Sequence, residues 1–531
     1  MRLLNPRSFR CALAATAVGL LCAASAAVAQ PDTRNLATTD HAVRLQPPWT
    51  RLEAMGGLVL SVRDEYTELN LWDFAGIPIG LVEDQDSTSL DLWLDRDGAT
   101  LDHTVEGVDR EVDRSRSLDV AGQSIIRIGR SAIGLGAGTL GLTGGMPFAD
   151  QEHTTEQVGQ PVLQPVATGP LWKGIRWGLG ALFGSEALKE TWMSDQVVDG
   201  RVELTDQGEQ LPPPDLFSPD RIEVGLSGYG AALGYDFQRW VNASVYYAQR
   251  REAVEWHQEA TRSVYDLNEV RHWTEFGLGA IVKPYRRVDV GIAVGREYWA
   301  DPQTYRFSLS GGSNADPTTV RGNRRESDVR HDFVQIRAQG DVPNAPVTLG
   351  ASYRVAYDRA IQNPVVASPD DFNNYVLDRA AEDTLAAPQL VESLRSDTRL
   401  LSWGVGGSYR LRQERAVAGL EYEWTRAATD GTERLARAVT WQVRAGGQYE
   451  VSPGWAALAG YRHTRSDEDT YTERNEMVAD RVSVGVMTHR LLTNWQLTGE
   501  LYREWQRTEY PDPGELGGEA TGFGLQLGRS F

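Results

Sequence analysis

The sequence predicts an all-β fold, a transmembrane antiparallel β-barrel, from three observations. From about residue 222 onward, large apolar residues alternate with small or polar ones over stretches longer than the strands of ordinary soluble sheets. Tight turns and long charged connections alternate between these stretches, as in barrels with turns at one rim and loops at the other. The last stretch, residues 521–531, also carries apolar side chains at every second position, which predicts a strand.

The composition agrees with a barrel and excludes several other classes of protein. The chain has 531 residues, and beyond its first thirty it contains no apolar run of the roughly 18 residues that a membrane helix needs. A barrel strand needs only about 9–11 residues, of which every second one can be polar. The 16 tryptophans and 19 tyrosines would supply aromatic girdles, and the net charge of −20 argues against nucleic acid as a partner.

The first 29 residues have the pattern of a secretory signal peptide. A positively charged start precedes the apolar stretch 11–24, and Ala-Val-Ala at 27–29 has the form of a cleavage site. The only cysteines, Cys11 and Cys22, both lie within it. We therefore expect export of a mature chain that has no disulfide bond.

Residues 30–86 are predicted to form a periplasmic or plug segment. Residues 75–81 read Ala-Gly-Ile-Pro-Ile-Gly-Leu and resemble the Asn-Pro-Ala-Gly-Leu element of the FadL-like (long-chain fatty-acid transporter) superfamily, although Ile77 and Ile79 depart from it. In that family a short plug sits in the barrel mouth just before the first strand. The resemblance implies plug roles for four residues, namely Gly76, Pro78, Gly80 and Leu81. An ordinary glycine-proline loop is the alternative.

Residues 87–531 are predicted to form the barrel itself. Thirteen strand candidates follow residue 222, and one more within 88–96 gives about fourteen strands, the number in the FadL-like superfamily. Three strands within 88–130 would give sixteen. Residues of about 146–220 show little periodicity and are expected to form an irregular insertion, with a possible short helix at 185–190.

The terminal strand resembles the C-terminal signature of bacterial outer-membrane β-barrels, which the barrel-assembly machinery recognises. The residues that carry this assembly signal are Phe523, Leu525, Leu527 and Phe531. Arg529 departs from the pattern, and an edge strand of a soluble sandwich is the alternative. We expect this strand to pair with one in residues 88–130. Deletion of Phe531 should impair insertion into the outer membrane, and normal surface levels of the truncated protein would contradict this.

Charged residues recur on the face of the strands that is predicted to line the lumen. The candidate lumen-lining residues are Arg354, Arg410, Arg444, Arg462, Glu450 and Glu500. They could form a polar pore lining that tunes selectivity. Alternatively, they could pair across strands and fill the interior.

The resemblance implies a channel or transporter of the cell outer membrane for small, hydrophobic or amphipathic molecules. Its expected partners are outer-membrane lipid, the barrel-assembly machinery and a small-molecule ligand, and the oligomeric state stays open. A second hypothesis is a non-conducting barrel that acts as a surface anchor or as an accessory to secretion or assembly. The eight histidines are scattered and no metal-ligand spacing is distinctive, so we expect neither catalysis nor a metal or other cofactor.

Overall fold

The computed structural model describes most of the region predicted to form the barrel, together with a short N-terminal piece. The described ranges are 50–62, 89–105, 108–139, 143–148, 151–159, 161–194, 218–238, 241–259, 263–285, 287–300, 303–309, 318–323, 326–363, 394–411, 415–431, 435–469, 474–489, 495–509 and 514–530. The predicted signal peptide, the motif at 75–81 with its Gly76, Pro78, Gly80 and Leu81, and Phe531 lie outside these ranges.

The described elements are one short helix and 22 strands. The helix α1 covers Thr50–Ala54. The strands are β1 (Ser89–Val105), β2 (Val108–Ile128), β3 (Ser131–Thr139), β4 (Thr143–Phe148), β5 (Gln151–Gly159), β6 (Pro161–Trp172), β7 (Ile175–Ser194), β8 (Ser218–Gln238), β9 (Val241–Glu259), β10 (Ser263–Tyr285), β11 (Val288–Ala300), β12 (Gln303–Leu309), β13 (Thr318–Asn323), β14 (Glu326–Asp341), β15 (Val347–Asn363), β16 (Leu394–Leu411), β17 (Ala416–Gly431), β18 (Leu435–Ser452), β19 (Trp455–Asp469), β20 (Arg474–Thr488), β21 (Trp495–Glu509) and β22 (Gly514–Ser530). None of the described helical segments has the length and apolarity of a membrane-spanning helix.

Eighteen of the strands form one antiparallel series, which confirms the predicted all-β, antiparallel fold. The series runs through β1, β2, β3, β6, β7 and onward to β22, omitting only β4, β5, β12 and β13. β1 also pairs with β22, from Ser89 opposite Ser530 to Val105 opposite Gly514. β22 thus has as a neighbour a strand from the region 88–130, where the sequence places its partner.

The four remaining strands form two hairpins that extend long connections of the series. β4 pairs with β5, which continues onto the far end of β7. β12 pairs with β13 and lies against the start of β10. Several connections predicted to be long loops, such as the one at 467–478, are instead largely strand. The strands therefore continue well beyond the length that a bilayer requires, since β14 to β22 are each 15 to 18 residues long.

The predicted count of fourteen strands, or sixteen, is too low. All thirteen candidates after residue 222 are strands, but residues 89–194 supply five members of the series rather than one or three. The possible helix at 185–190 lies within β7. In β3 and β7, large residues alternate with glycine and alanine rather than with polar residues. Leu179 and Phe183 are exposed while Gly178 is buried, so the usual contrast between apolar and polar positions is missing.

The two faces of the sheet differ in character. One face carries exposed large apolar side chains, including Leu278 on β10, Leu420 on β17 and Leu501 on β21, each about 60% exposed. The other face carries glycine, small polar and charged residues, many of them buried. An apolar face turned outward and a polar face turned inward is the reverse of a soluble protein and typical of a barrel in lipid. We call these the outer and the inner face.

Candidate functional site

Residues 50–62 lie on the inner face of the sheet, across strands β14 to β21. We call these thirteen residues the docked segment and the surface beneath them the seat. α1 begins the segment, and Leu52, Met55 and Leu58 are fully buried in one hydrophobic cluster with Leu458 and Met487 of the seat. Met487 lies one residue from the end of β20, so the segment sits in the half of the sheet near the short turns.

A buried carboxylate holds the second half of the docked segment. Glu421 of β17 is 1% exposed and accepts hydrogen bonds from the backbone amides of Val59 (3.1 Å), Leu60 (2.7 Å) and Ser61 (2.7 Å). The Ser61 hydroxyl donates a fourth bond at 2.8 Å. The guanidinium of Arg444 lies 3.6 Å from the same carboxylate. A buried charge is stable only when it is paired and hydrogen-bonded, and here the segment itself supplies most of the donors.

Side chains of the seat also satisfy the carbonyl groups of the same stretch. Gln339 donates to the carbonyl oxygens of Leu60 (3.1 Å) and Val62 (3.0 Å), and the Ser408 hydroxyl donates to that of Ser61 (2.7 Å). Arg337 donates to the carbonyl of Val59. Buried backbone groups need such partners. The docked segment therefore obtains them from side chains of the sheet and adds no strand to it.

The first half of the docked segment is held by ion pairs and a hydroxyl group. The carboxylate of Glu53 lies 3.6 Å from the guanidinium groups of both Arg462 and Arg481. The Ser483 hydroxyl donates to the carbonyl oxygen of Glu53 at 2.9 Å. Arg51 donates to the side-chain oxygen of Gln448 at 2.9 Å. The carboxylate of Glu53 therefore has two cationic partners in the seat, and Arg51 has a neutral one.

Glycines of the seat allow the two backbones to touch. A Cβ atom added to Gly460 would lie 2.0 Å from the backbone nitrogen of Gly56, and one added to Gly446 would lie 2.1 Å from the carbonyl oxygen of Met55. On β15, a Cβ atom at Gly350 would lie 1.8 Å from the carbonyl oxygen of Leu60. Gly56 itself has φ +80°, a conformation that favours glycine. Any larger side chain at these positions would displace the segment.

The candidate lumen-lining residues occupy several different places. Arg444 donates to Glu423 at 2.7 Å, Arg462 also pairs with Glu504 at 3.1 Å, and Glu500 pairs with Arg481 at 3.0 Å. These three border the docked segment through Glu421 or Glu53. Away from it, Arg410 pairs with Asp341 at 3.1 Å and Glu450 lies 3.7 Å from Arg415. Arg354 shares the inner face of β15 with Gly350.

Sequence reasoning missed the residues that bind the docked segment most directly. Glu421 was one of several acidic residues on a lumen face, and Gln339, Ser408 and Ser483 carried no distinguishing signal. The available signal was the run Met55-Gly-Gly-Leu-Val-Leu-Ser61, which combines apolar side chains with two adjacent glycines ahead of the first strand. Such a run can lie buried against another backbone.

A second part of the inner face, on β9 to β14, is covered by its own side chains. The ring of Tyr246, 2% exposed, lies over Gly277, where an added Cβ atom would be 2.6 Å from it. Phe333 covers Gly295 in the same way, with 2.5 Å between an added Cβ atom and its ring. The Tyr246 hydroxyl donates to Glu275 at 2.9 Å, and Arg250 lies 3.5 Å from Glu275.

The described residues offer little of the geometry that catalysis or metal binding requires. His331 contacts Asp358, and His463 contacts Asp480 at 2.8 Å. Within the described ranges, neither ring is hydrogen-bonded to a hydroxyl or thiol that could act as a nucleophile. Nor does any group of three or more His, Cys, Asp or Glu side chains in those ranges have an arrangement that could hold a metal ion.

The outer face carries two levels of aromatic side chains. Near the long connections, Trp403, Trp424 and Trp441 are direct cross-strand neighbours. Near the short turns, Tyr409 and Tyr449 are 47% and 56% exposed. Eight residues separate the two levels on β18, which at about 3.4 Å per residue and a tilt of about 40° corresponds to a height of about 21 Å. This is close to the roughly 25 Å apolar band of membrane barrels.

Three of the four predicted assembly-signal residues, Phe523, Leu525 and Leu527, lie on β22. Phe523 and Leu525 are 36% and 42% exposed on the outer face. Gln526, which follows Leu525, is buried on the inner face. Leu527 shares the face of Phe523 and Leu525 and is half-buried. Recognition of this strand by an assembly machinery stays a prediction.

The comparisons with known proteins give a distant similarity to solved structures. No family model and no curated protein matches it. Among solved structures it is similar to a FadL homologue of Pseudomonas aeruginosa, at 12% identity over 91% of this chain and 97% of that chain, with a TM-score of 0.34. It is also similar to the toluene transporter TodX of P. putida, at 10% identity over 91% of this chain and 98% of that chain, with a TM-score of 0.36. For the ferric yersiniabactin uptake receptor FyuA of Yersinia pestis, the identity is 9% over 84% of this chain and 81% of that chain, with a TM-score of 0.43. FadL homologues, which the sequence resembles, are thus among the similar structures, and the function has to follow from the geometry of this chain.

Proposed function

We propose that this chain is an outer-membrane β-barrel channel or transporter in which the docked segment acts as the plug. The pairing of β1 with β22 would close the eighteen strands into a barrel. The exposed apolar outer face between two aromatic levels fits a position across a bilayer. The short turns would then face the periplasm and the long connections the cell exterior.

The observation that carries the plug role is the binding of Val59, Leu60 and Ser61 by Glu421. These contacts, with those of Gln339, join side chains of the barrel to backbone of the segment. The segment can leave the seat without breaking any backbone hydrogen bond between paired strands, because it is not part of a strand pairing. A removable element inside a barrel is what a gate requires.

The interior near the plug favours a small ligand with apolar character. Leu52, Met55 and Leu58 of the docked segment cover apolar side chains of the seat. Movement of the segment would expose Leu458 and Met487 to the pathway. A molecule would be captured near the long connections, pass the vacated seat and be released toward the periplasm or laterally. Hydrophobic or amphipathic substrates, as the FadL-like resemblance implies, suit such a surface.

Current through planar bilayers tests this function. A variant that lacks residues 50–62 should be open for a larger fraction of time than the full chain. A Ser61→Cys/Ser408→Cys variant should form a disulfide tether, because the Ser61 Oγ and the Ser408 Cβ lie 3.1 and 3.4 Å from the same point, the position of a Cβ atom added to Gly419. Oxidation should then suppress openings, and a reductant should restore them. Both single-cysteine variants are the matched controls and should not respond to oxidant.

The second hypothesis, a non-conducting barrel, is favoured by the ion pairs of Arg444, Arg462 and Arg481, which fill the interior beside the docked segment. If neither the full chain nor the variant without residues 50–62 carries current, the channel is wrong and this second role stands. Loss of binding of an apolar dye upon oxidation of the tether would instead support a transporter of low conductance.

A further inference from the structure

The outer face of β15 to β18 carries a row of aromatic residues, which we call the aromatic row. Tyr353 lies opposite Trp403, Trp403 opposite Trp424, and Trp424 opposite Trp441, so the four side chains are successive cross-strand neighbours. The rings of Trp403 and Trp424 are 6.3 Å apart. Amphipathic aromatic rings favour the boundary between hydrocarbon and headgroups, so this row marks that boundary on the long-connection side.

Three exposed arginines lie just beyond the aromatic row, toward the long connections. Arg426 follows Trp424 by two residues on β17, Arg399 precedes Trp403 by four on β16, and Arg437 precedes Trp441 by four on β18. We call them the arginine triad. Arg426 is paired in register with Leu401 and Arg437 with Ala428, so the three occupy one patch of the outer face. At about 3.4 Å per residue they stand about 7–14 Å along the strands from the row, at the depth of headgroups.

No acidic side chain among the described residues holds the arginine triad. Within the described residues, none of the three takes part in an ion pair or hydrogen bond. Elsewhere on the same face, Arg330 pairs with Asp332 at 2.6 Å, Arg465 with Glu476 at 3.0 Å and Arg503 with Glu519 at 2.6 Å.

Acidic residues also lie beside the triad, and Asp397, two residues before Arg399, pairs with Arg359 at 3.1 Å. Asp430 follows Arg426 by four residues, and Asp469 is the cross-strand neighbour of Arg437 without forming an ion pair with it among the described side chains. In a chain of net charge −20, three exposed cations that form no ion pair with the described side chains are placed to meet an anion from another molecule. Arginine binds phosphate through two parallel hydrogen bonds, which makes phosphate the best-matched anion.

We propose that the arginine triad binds the phosphate groups of a lipid headgroup in the leaflet on the long-connection side. This rests on the proposed position in the outer membrane. The source is a lipid rather than free phosphate because the patch continues without interruption into apolar and aromatic surface. Leu401 lies between Arg399 and Trp403, and Val405 beyond it is 49% exposed, so acyl chains find contact directly below the bound phosphate.

Binding of defined lipids to delipidated full chain tests the proposal. The probes are a lipid A with two phosphates, the same lipid with its phosphates removed, and inorganic phosphate. The test variant is Arg399→Gln/Arg426→Gln/Arg437→Gln. The matched control, Arg330→Gln/Arg465→Gln/Arg503→Gln, removes the same charge from arginines that already have acidic partners on the same face.

The test variant should bind the phosphorylated lipid about 100-fold more weakly than the unchanged chain, since each arginine near an anionic surface contributes about fivefold. The control should lose less than about fivefold, and the dephosphorylated lipid should bind both variants alike. Equal losses in the two variants, or none in the test variant, would overturn the site. Inorganic phosphate bound as tightly as the lipid would overturn the lipid source. Heat-modifiable migration and bilayer current, measured on the same samples, separate these results from failure of the barrel or channel.

Discussion

Two parts of the inner face cover their glycine positions in different ways. On β9 to β14, a region that we call the self-covered wall, glycines lie beneath the rings of Tyr246 and Phe333, which are side chains of the sheet itself. On β14 to β21, glycines such as Gly446 and Gly460 lie beneath the backbone of residues 55–56. Both arrangements exclude solvent from bare backbone. Only the second cover can be removed without unfolding the sheet, because it is the docked segment and not a side chain of the strands.

The difference teaches where mobility can reside in a barrel. Where strands are covered by their own side chains, the backbone becomes exposed only when those strands unfold. The seat instead depends on hydrogen bonds from Glu421 and Gln339 to another segment, and each of these contributes only about 0.5–3 kcal/mol. Substitutions in the seat should therefore change the position of the docked segment. Substitutions on the self-covered wall should change stability and leave the segment in place.

The largest effect is expected from Gly460→Val in the seat. Its side chain would overlap the backbone of Gly56, which cannot adjust by a rotamer change, so the docked segment should be expelled and cleaved by added protease at least tenfold faster. Bilayer current should approach that of the variant without residues 50–62. Gly499→Ala is the control, because its Cβ atom would have its nearest neighbour 3.8 Å away on the outer face. Unchanged protease resistance of the Gly460 variant would refute the seat.

A smaller but still large effect is expected from Glu421→Leu. Three backbone amides lose their acceptor, at about 1–3 kcal/mol for each group left unsatisfied, so hydrogen exchange at residues 59–61 should rise at least tenfold. The control Glu423→Leu removes a carboxylate that binds Arg444 and none of these amides. If exchange rose equally in both variants, Glu421 would have no special role in holding the segment.

On the self-covered wall, Tyr246→Phe should lower the free energy of unfolding by about 1 kcal/mol. The substitution removes the hydrogen bond to Glu275 and keeps the ring over Gly277. Unfolding in urea would measure the loss, and both protease resistance of residues 50–62 and bilayer current should match the unchanged chain. Release of the segment in this variant would show that the two parts of the wall are coupled.

The smallest effect is expected from Ser408→Ala. It removes one hydrogen bond to the Ser61 carbonyl, while Gln339 still binds the carbonyls on either side of that residue. Exchange at residues 59–62 should rise by about fivefold or less, because one net hydrogen bond contributes about 1 kcal/mol. An effect as large as that of Glu421→Leu would mean that the contacts act as one cooperative unit.

Most of the sheet could be predicted from the sequence because its outer face is apolar and its inner face polar. That contrast identifies the thirteen strands from β8 to β22 that belong to the series, without β12 and β13. It fails on β3 and β7, where Gly136 and Gly178 occupy inner positions and only size alternates. β3 and β7 are two of the four strands of the series that the count of fourteen omits.

The candidate site was less predictable because it depends on rotation and register across several strands. Glu421 and Glu423 lie two residues apart on the same face, and only the three-dimensional position of residues 59–61 distinguishes them. Likewise, the sequence contains 53 glycines, and nothing in it marks Gly446 or Gly460 as the ones beneath another backbone. The interior charges were recognised, but their partners were not.

The sequence separation of the seat contacts has a consequence for the order of assembly. Gln339 and Val62 are 277 positions apart, and Ser483 and Glu53 are 430 apart. The N-terminal part of these contacts is synthesised first, yet its binding surface exists only when β14 to β21 have paired. Contacts of such long range form late, because the intervening chain must first be ordered. Leu52, Met55 and Leu58 must therefore remain without their final neighbours throughout most of folding, and the docked segment reaches the seat as a late step.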